Sequence, residues 1–361
     1  FYHQPYWKYF RQYADYARRL SFMNDGGRHF ADILLFHPTE TAWTYTDLKW
    51  PKRVVAPAVN PLAAINTVYG AMMERLTADR WDYDVADSHY LAQATIQDSR
   101  LQVGNESFRV LLLPPLTTVR RGTMQKVREF YEKGGIVIAV ERLPDESMEE
   151  GRGDTFLAAE IRRIFGQPIP GKLGENSHPS GGKAFFVPER LDDVIHLLNV
   201  HLQQDARLLS GDPTHLFVNH GRKQETDFYW VVNDSAAERD VSLLLSVAGQ
   251  PEKWNAATGA REPLASRQTG QGTEVRLHMD GWDAFYVVFP KDPLPPPAAA
   301  IPVSPLPLLS LGNTWNFRPE AETIVVPYAA YREETDTAGE NAGWHRRTFN
   351  DAAWNRQWLS R

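Results

Sequence analysis

The chain has 361 residues, 42% of them hydrophobic and 12% aromatic, and carries a net charge of −6. It contains no cysteine, which excludes disulfides, thiolate nucleophiles, cysteine-zinc sites and iron–sulfur clusters within it. The length exceeds one ordinary domain. No basic face or polybasic segment points to nucleic acid or anionic lipid, and no apolar run approaches the ~18 residues of a membrane helix.

Residues 5–24 read as an amphipathic helix. Pro5 suits a first helical position, Tyr6, Tyr9, Phe10, Tyr13, Tyr16, Ala17 and Leu20 recur at three- and four-residue spacing, and Gly26-Gly27 supplies the stop. So aromatic an opening helix needs something to pack on. Together with a start at Phe1 that is not Met, this predicts an internal slice of a larger protein whose neighbouring segment covers the helix.

From about 30 to 205 strands and helices alternate. Ile33-Leu34-Leu35-Phe36, Asp82-Tyr83-Asp84-Val85, Val110-Leu111-Leu112-Leu113 and Ile136-Val137-Ile138-Ala139-Val140 are predicted strands. Helices are predicted from Asn60-Pro61 to about Arg80, over 117–133, and near 154–165 and 189–204. Continuous apolar strands between amphipathic helices imply a parallel sheet covered on both faces. From 214 to 290 the texture becomes that of a small antiparallel sandwich, with strands at Leu216-Phe217-Val218, Phe228-Tyr229-Trp230-Val231-Val232, Val241-Ser242-Leu243-Leu244-Leu245 and Ala284-Phe285-Tyr286-Val287-Val288-Phe289. Residues 291–307, rich in proline, read as a semi-rigid linker. Beyond it, Asn313-Thr314-Trp315-Asn316-Phe317 and Thr348-Phe349-Asn350-Asp351-Ala352-Ala353-Trp354 begin a further β-domain that is not completed.

The search for chemistry is largely negative. Neither a dinucleotide-binding glycine fingerprint nor a phosphate-binding P-loop is present. Thr39, Thr41 and Thr44 are spaced as in a flavin phosphate loop, but Ala42 stands where glycine is needed, and the run reads as a polar surface loop. The 11 histidines are scattered; His196 and His201 stand five apart and share no helix face as metal ligands would. No metal-ligand set follows. Glu141 directly follows a predicted strand, at the sheet edge where open α/β folds place ligands. Asp145, Glu146, Glu149, Glu150 and Asp154 crowd the next loop, which reads as a solvated acidic loop. If residues 5–24 are the last helix of a (β/α)₈ barrel, residues 1–4 lie on its catalytic face. His3, Gln4 and Trp7 would then line a sugar site, with Trp7 stacking on the sugar, or else simply packing the helix start. Asn105-Glu106-Ser107 and Asn233-Asp234-Ser235 match the glycosylation sequon.

The order of elements carries a resemblance. Phe1-Tyr2-His3-Gln4-Pro5-Tyr6-Trp7-Lys8-Tyr9-Phe10, then Tyr13-Ala14-Asp15-Tyr16 and Arg19-Leu20-Ser21, resemble the end of the catalytic barrel in glycoside hydrolase family 106, the α-L-rhamnosidases. Ala31-Asp32-Ile33-Leu34-Leu35-Phe36-His37-Pro38 and Phe130-Tyr131-Glu132-Lys133-Gly134-Gly135-Ile136-Val137 are similar to that family's flavodoxin-like domain, which is akin to the trimerisation domain of some β-galactosidases. Asp227-Phe228-Tyr229-Trp230-Val231-Val232-Asn233 and Gly249-Gln250-Pro251-Glu252-Lys253-Trp254-Asn255 are similar to its β-domain. Phe349-Asn350-Asp351-Ala352-Ala353-Trp354 resembles the start of a galactose-binding-like jelly roll.

The resemblance implies an α/β plus all-β architecture. The expected domains are a terminal barrel helix (1–29), a flavodoxin-like α/β domain (30–210), an antiparallel β-sandwich (211–290), a linker (291–307) and an incomplete galactose-binding-like jelly roll (308–361). It implies an inverting exo-hydrolase of O-glycosidic bonds with two catalytic glutamates and a calcium ion, on barrel segments that match no residue here. Hence no catalytic or metal residue and no cofactor is expected in this chain. The substrate-lining residues are His3, Gln4, Trp7 and Glu141. The expected partners are carbohydrate, the other domains of the parent and, as an open expectation, further copies of the chain. A periplasmic or secreted bacterial parent follows from the substrate class. The alternative expectation is a carbohydrate-binding or oligomerisation module without catalysis of its own.

Overall fold

The computed structural model describes residues 5–46, 61–169, 171–295, 328–333, 338–344, 346 and 348–358. They fall into two compact units, 14–302 in one and 1–13 with 303–361 in the other. Among the described residues no helix is long and apolar enough to cross a membrane.

The larger unit holds a six-stranded sheet. In chain order its parallel strands are Ile33–Phe36, Tyr83–Ala86, Val110–Leu113, Ile136–Val140 and Lys183–Val187. In space the second lies beside the first, followed by the third, fourth and fifth. Gly174–Ser177 adds an antiparallel edge. Side chains of a strand alternate between faces, so Leu34, Phe36, Leu111, Leu113 and Val137 face one layer of helices. There they pack on Met124, Val127 and Phe130 of Arg121–Glu132 and on Leu157 and Ile164 of Thr155–Phe165. Ile33, Leu35, Val110, Leu112 and Ile138 face the other layer, meeting Met72 and Leu76 of Leu62–Ala78 and Val194 and Leu198 of Leu191–His201. Both faces are covered, which is why the strands read as unbroken apolar runs. Gly135 ends the turn into Ile136–Val140, and a Cβ there would strike the Phe130 ring.

The same unit holds an antiparallel sandwich. One sheet orders Gly27–His29, Leu216–Lys223, Thr226–Asn233, Ala284–Phe289, Glu252–Trp254 and Arg261–Pro263; the other orders Ala206–Ser210, Arg239–Leu245, Gly272–Met279 and Ser266–Thr269. Between them Tyr229, Val231, Phe285 and Val287 meet Val241, Leu243, Val275 and Leu277. Gly27–His29 comes from the start of the chain, paired Gly27↔Lys223 to His29↔Gly221.

The opening helix is a 3-10 turn, Pro5–Tyr9, followed by Phe10–Asn24. The expectation that its partner lies outside the chain is corrected for its last turns. Leu20 and the buried Met23 pack on Phe228, Tyr286 and Val288 of the sandwich, and Arg19 Nη1 donates to Ala256 O and Ala257 O. Phe22 nevertheless stays 61% exposed, as does Tyr13 at 65%.

In the smaller unit Trp7 and Phe10 stack at 5.1 Å. Tyr328–Tyr331 pairs antiparallel with Asn355–Trp358. Trp344 lies 4.9 Å from Trp354 and Phe349 lies 5.5 Å from Trp354, so the two aromatics of the 349–354 stretch meet one hydrophobic cluster. Asn313 to Phe317 and most of the expected linker lie outside the described residues.

Candidate functional site

The carboxyl edge of the parallel sheet is where an open α/β fold ordinarily binds ligands. The threonine run expected as a surface loop is instead the helix Thr39–Tyr45. Thr41 is fully buried; its hydroxyl donates to Thr118 O and accepts from the Thr117 and Thr118 amides. Glu40 is buried beside it, accepting from Arg120 Nε at 2.9 Å and from Ser88 Oγ at 2.8 Å. The acidic loop is engaged by arginines rather than simply solvated. Arg152 reaches Glu146, Arg142 reaches Asp145, and Arg121 binds Asp154, which also caps the helix Thr155–Phe165. The Arg121 hydrogen bonds hold the Asp154 carboxyl well below the usual range.

Glu141 leaves the strand Ile136–Val140 with a φ of 57°, its amide donating to Val187 O at 2.7 Å. Desolvation and then the negative charge of Glu189 push its carboxyl up. Trp7 sits in the 3-10 turn, 45% exposed. His3 and Gln4 lie outside the described residues.

A cavity of about 900 Å³ lies elsewhere, between the parallel-sheet layer and the sandwich. Two histidines stand at its back, each held between two aspartates. His29 Nδ1–H donates to Asp84 Oδ1 at 2.9 Å, and its Nε2 lies 2.9 Å from Asp82 Oδ2. Burial opposes the imidazolium charge, but Asp82 and Asp84 overcome it and raise the pKa to about 10. His220 is buried; its Nε2–H donates to Asp227 Oδ1 at 3.1 Å, and its Nδ1 lies 2.9 Å from Asp205 Oδ2 without the line a hydrogen bond requires. Burial again opposes protonation, and the two aspartates prevail and raise the pKa. Phe30 and Tyr229 sandwich this ring at 4.8 and 4.2 Å.

The front wall is a three-stranded ribbon, Thr95–Gln97, Arg100–Val103 and Glu106–Phe108. Leu101 and Phe108 turn into the core, so the alternate residues Arg100 and Gln102 share the other face with Ser107, the cross-strand partner of Gln102. Arg100 Nη2 donates to Asp32 Oδ1 at 2.5 Å and Nε to Ser107 Oγ at 2.9 Å; Gln102 Nε2 donates to Ser107 Oγ at 3.1 Å. Desolvation pushes the Asp32 carboxyl up, against Arg100 and Arg109 and aided by Asp205. The opposite lip is the turn Thr269 to Gly272. Gly272 has φ of 135°, and a Cβ there would run into Leu245 O.

Glu141 does not line this cavity. The signal that could have found its front wall is short: alternating Arg100-Leu101-Gln102-Val103, then Gly104-Asn105, then Glu106-Ser107-Phe108, the mark of a tight hairpin. Asn233, the other sequon asparagine, is fully buried and donates to Ala237 O and Asp280 O, which closes it to modification.

Comparison with known proteins gives a consistent grouping. A Formosa agariphila protein named as a beta-glucuronidase is 23% identical over 288 residues, 78% of this chain and 21% of its own. The solved rhamnosidase of Novosphingobium sp. PP1Y superposes with a TM-score of 0.59 at 20% identity, over 83% of this chain and 26% of that one. A beta-galactosidase from Bacillus circulans sp. alkalophilus superposes at 0.52 with 13% identity, over 76% of this chain and 44% of that one. The chain thus spans about a fifth to a quarter of the first two proteins. The family model for alpha-L-rhamnosidase, glycoside hydrolase family 106, matches residues 2–268, and the chain belongs to that family.

Proposed function

We propose that this chain forms a non-catalytic portion of a rhamnosidase-like glycoside hydrolase that cleaves an O-glycosidic bond of plant or microbial glycans in its full-length form. Hydrolysis of this kind needs one carboxyl free to give up a proton and a second free to act on water or the sugar, roughly 5–9.5 Å apart. The observation that carries the proposal is that, among the described residues, the buried carboxylates are already engaged. Glu40 is bound by Arg120, Asp154 by Arg121, Asp227 by His220 and Arg222, and Glu252 by Arg261. Glu141 and Trp7 are proposed as substrate-facing only in the assembled parent.

The domain assignment goes with this reading. Residues 30–210 are proposed as flavodoxin-like, supported by the second-first-third-fourth-fifth strand order. Residues 211–290 are proposed as a sandwich module that borrows Gly27–His29, and 308–361 as the start of a galactose-binding-like jelly roll. The helix at 1–29 is proposed to close the parent's barrel. The calcium ion implied by family resemblance finds no fitting donor set among the described residues. No step is assigned to it here.

The test is hydrolysis of an aryl α-L-rhamnoside by the purified 361-residue chain. No turnover above the uncatalysed rate is expected, whereas the full-length parent should cleave the substrate. Robust turnover by the chain alone would place the reaction centre within it.

A further inference from the structure

We infer that the cleft between the parallel sheet and the sandwich is a saccharide-binding site for a neutral sugar. This deepens the role proposed above and rests on it for the class of ligand. The cleft, about 900 Å³, lies within the roughly 300–1,000 Å³ of ordinary ligand sites and at a junction of two layers, where such sites concentrate.

Its chemistry selects the ligand. Arg28, Arg100 and Arg222 line it opposite Asp32, Asp205 and Asp227. Two of the three arginines are already joined to carboxylates, while Arg28 lies over the Phe30 ring near the Glu106 carboxyl. Arg100 grips Asp32, and Arg222 grips Asp227 through Nε at 2.7 Å and Nη2 at 3.0 Å. At these two pairs an anion would have to take an arginine from its carboxylate, and a cation would have to do the reverse, so charged ligands gain little there. A vicinal diol instead offers donors and acceptors together and can add to a fixed ion pair without breaking it.

The front wall has the free valences for this. Among the described residues, Asp32 Oδ2 accepts no hydrogen bond and Arg100 Nη1 donates none. Ser107 Oγ accepts from both Arg100 and Gln102, so its own proton is left to donate outward. Gln102 Nε2 uses one of its two N–H groups on Ser107, which leaves the other to donate and Oε1 to accept. Donors and acceptors therefore stand together, those of Arg100, Gln102 and Ser107 on one ribbon face backed by Leu101 and Phe108, and the acceptor of Asp32 just before the strand Ile33–Phe36. Asp32 and Arg100 are each about one-third exposed, enough for a ligand to reach.

The test is calorimetric titration of the 361-residue chain with methyl α-L-rhamnoside, methyl β-D-galactoside and methyl β-D-glucoside, with D-glucuronate and D-glucosamine as charged controls. At least one neutral glycoside should bind, more tightly than either charged sugar. Arg100→Gln should weaken it about tenfold, the effect of one charge-assisted hydrogen bond. Because Arg100→Gln also disturbs Asp32, Gln102→Ala serves as the milder variant, expected to weaken binding by about threefold with unchanged circular dichroism. Binding of none of the three glycosides, tighter binding of a charged sugar, or affinity indifferent to both variants would each overturn the assignment. The aryl rhamnoside assay on the same preparation reports separately on the non-catalytic reading, since hydrolysis and equilibrium binding fail independently.

Discussion

Glu40 is the residue that most directly ties the helix Thr39–Tyr45 to the next layer. Its carboxylate is almost wholly buried while its partner Arg120 is half exposed. Glu40→Ala should therefore cost about 1–3 kcal/mol, read as a lower urea midpoint, because the guanidinium that loses its partner can still reach water. An unchanged midpoint would mean that the contact is incidental. Gly272 sets a second limit, since its positive φ and the proximity of Leu245 O leave no room for a methyl group. Gly272→Ala should lower stability by about 1–3 kcal/mol and displace the lip of the cleft, measurable as a fall in melting temperature. Neither residue was legible in the sequence. A helix written with threonine and glutamate has no apolar period, and the burial of Thr41 is imposed by Thr117 and Thr118, 76 and 77 residues away. Glu141 was placed correctly at a strand end, because a residue ending a continuous apolar run has few other places to be. Its carboxylate partner is Glu189, which spacing cannot reveal.

At the scale of elements, legibility follows burial. Ile33–Phe36, Val110–Leu113 and Ile136–Val140 stood out because two-sided burial demands unbroken apolar sequence. Lys183–Val187, the fifth parallel strand, was passed over. It opens on lysine and follows Gly181-Gly182, so it reads as the tail of a loop. The ribbon of 95–108 has one polar face by necessity, and that polarity both hid it and built the front wall of the cleft. The opening helix was recognised from its period, but its docking face was not. Met23 is buried against Phe228, Tyr286 and Val288. Met23→Ala should cost about 2–5 kcal/mol and loosen the last turns of the helix, detectable as faster amide exchange at 20–24. Exchange unchanged there would show that the Arg19 hydrogen bonds suffice.

Across the larger unit, the join between parallel sheet and sandwich is polar and titratable. His29 lies on a strand of the sandwich, while Asp82 and Asp84 flank and begin a strand of the parallel sheet; Asn219 Nδ2 also donates to Asp82 Oδ2 at 2.9 Å. Arg28 and Glu106 complete the charged surroundings. A histidine whose pKa rises on folding from 6.5 to about 10 stabilises fully below the lower value. That contribution declines as pH rises between the two and is gone above the upper one. Unfolding midpoints measured from pH 6 to pH 10 should therefore fall on the alkaline side, and His29→Gln should flatten that slope. A parallel fall in the variant would assign the loss to other groups, His220 first among them.

The strand Gly27–His29 has a consequence for biosynthesis. Its pairing partners run from Gly221 to Lys223, more than 190 residues further along. At about 5–20 residues per second a ribosome needs roughly 10–40 s to deliver them, and meanwhile the intervening layer can fold first. Stalled nascent chains ending before Leu216 should therefore be cut by protease around Gly27, while those released beyond Phe289 should resist. The sandwich is sealed by a segment made long before it, so its completion would act as a late checkpoint on residues 27–289.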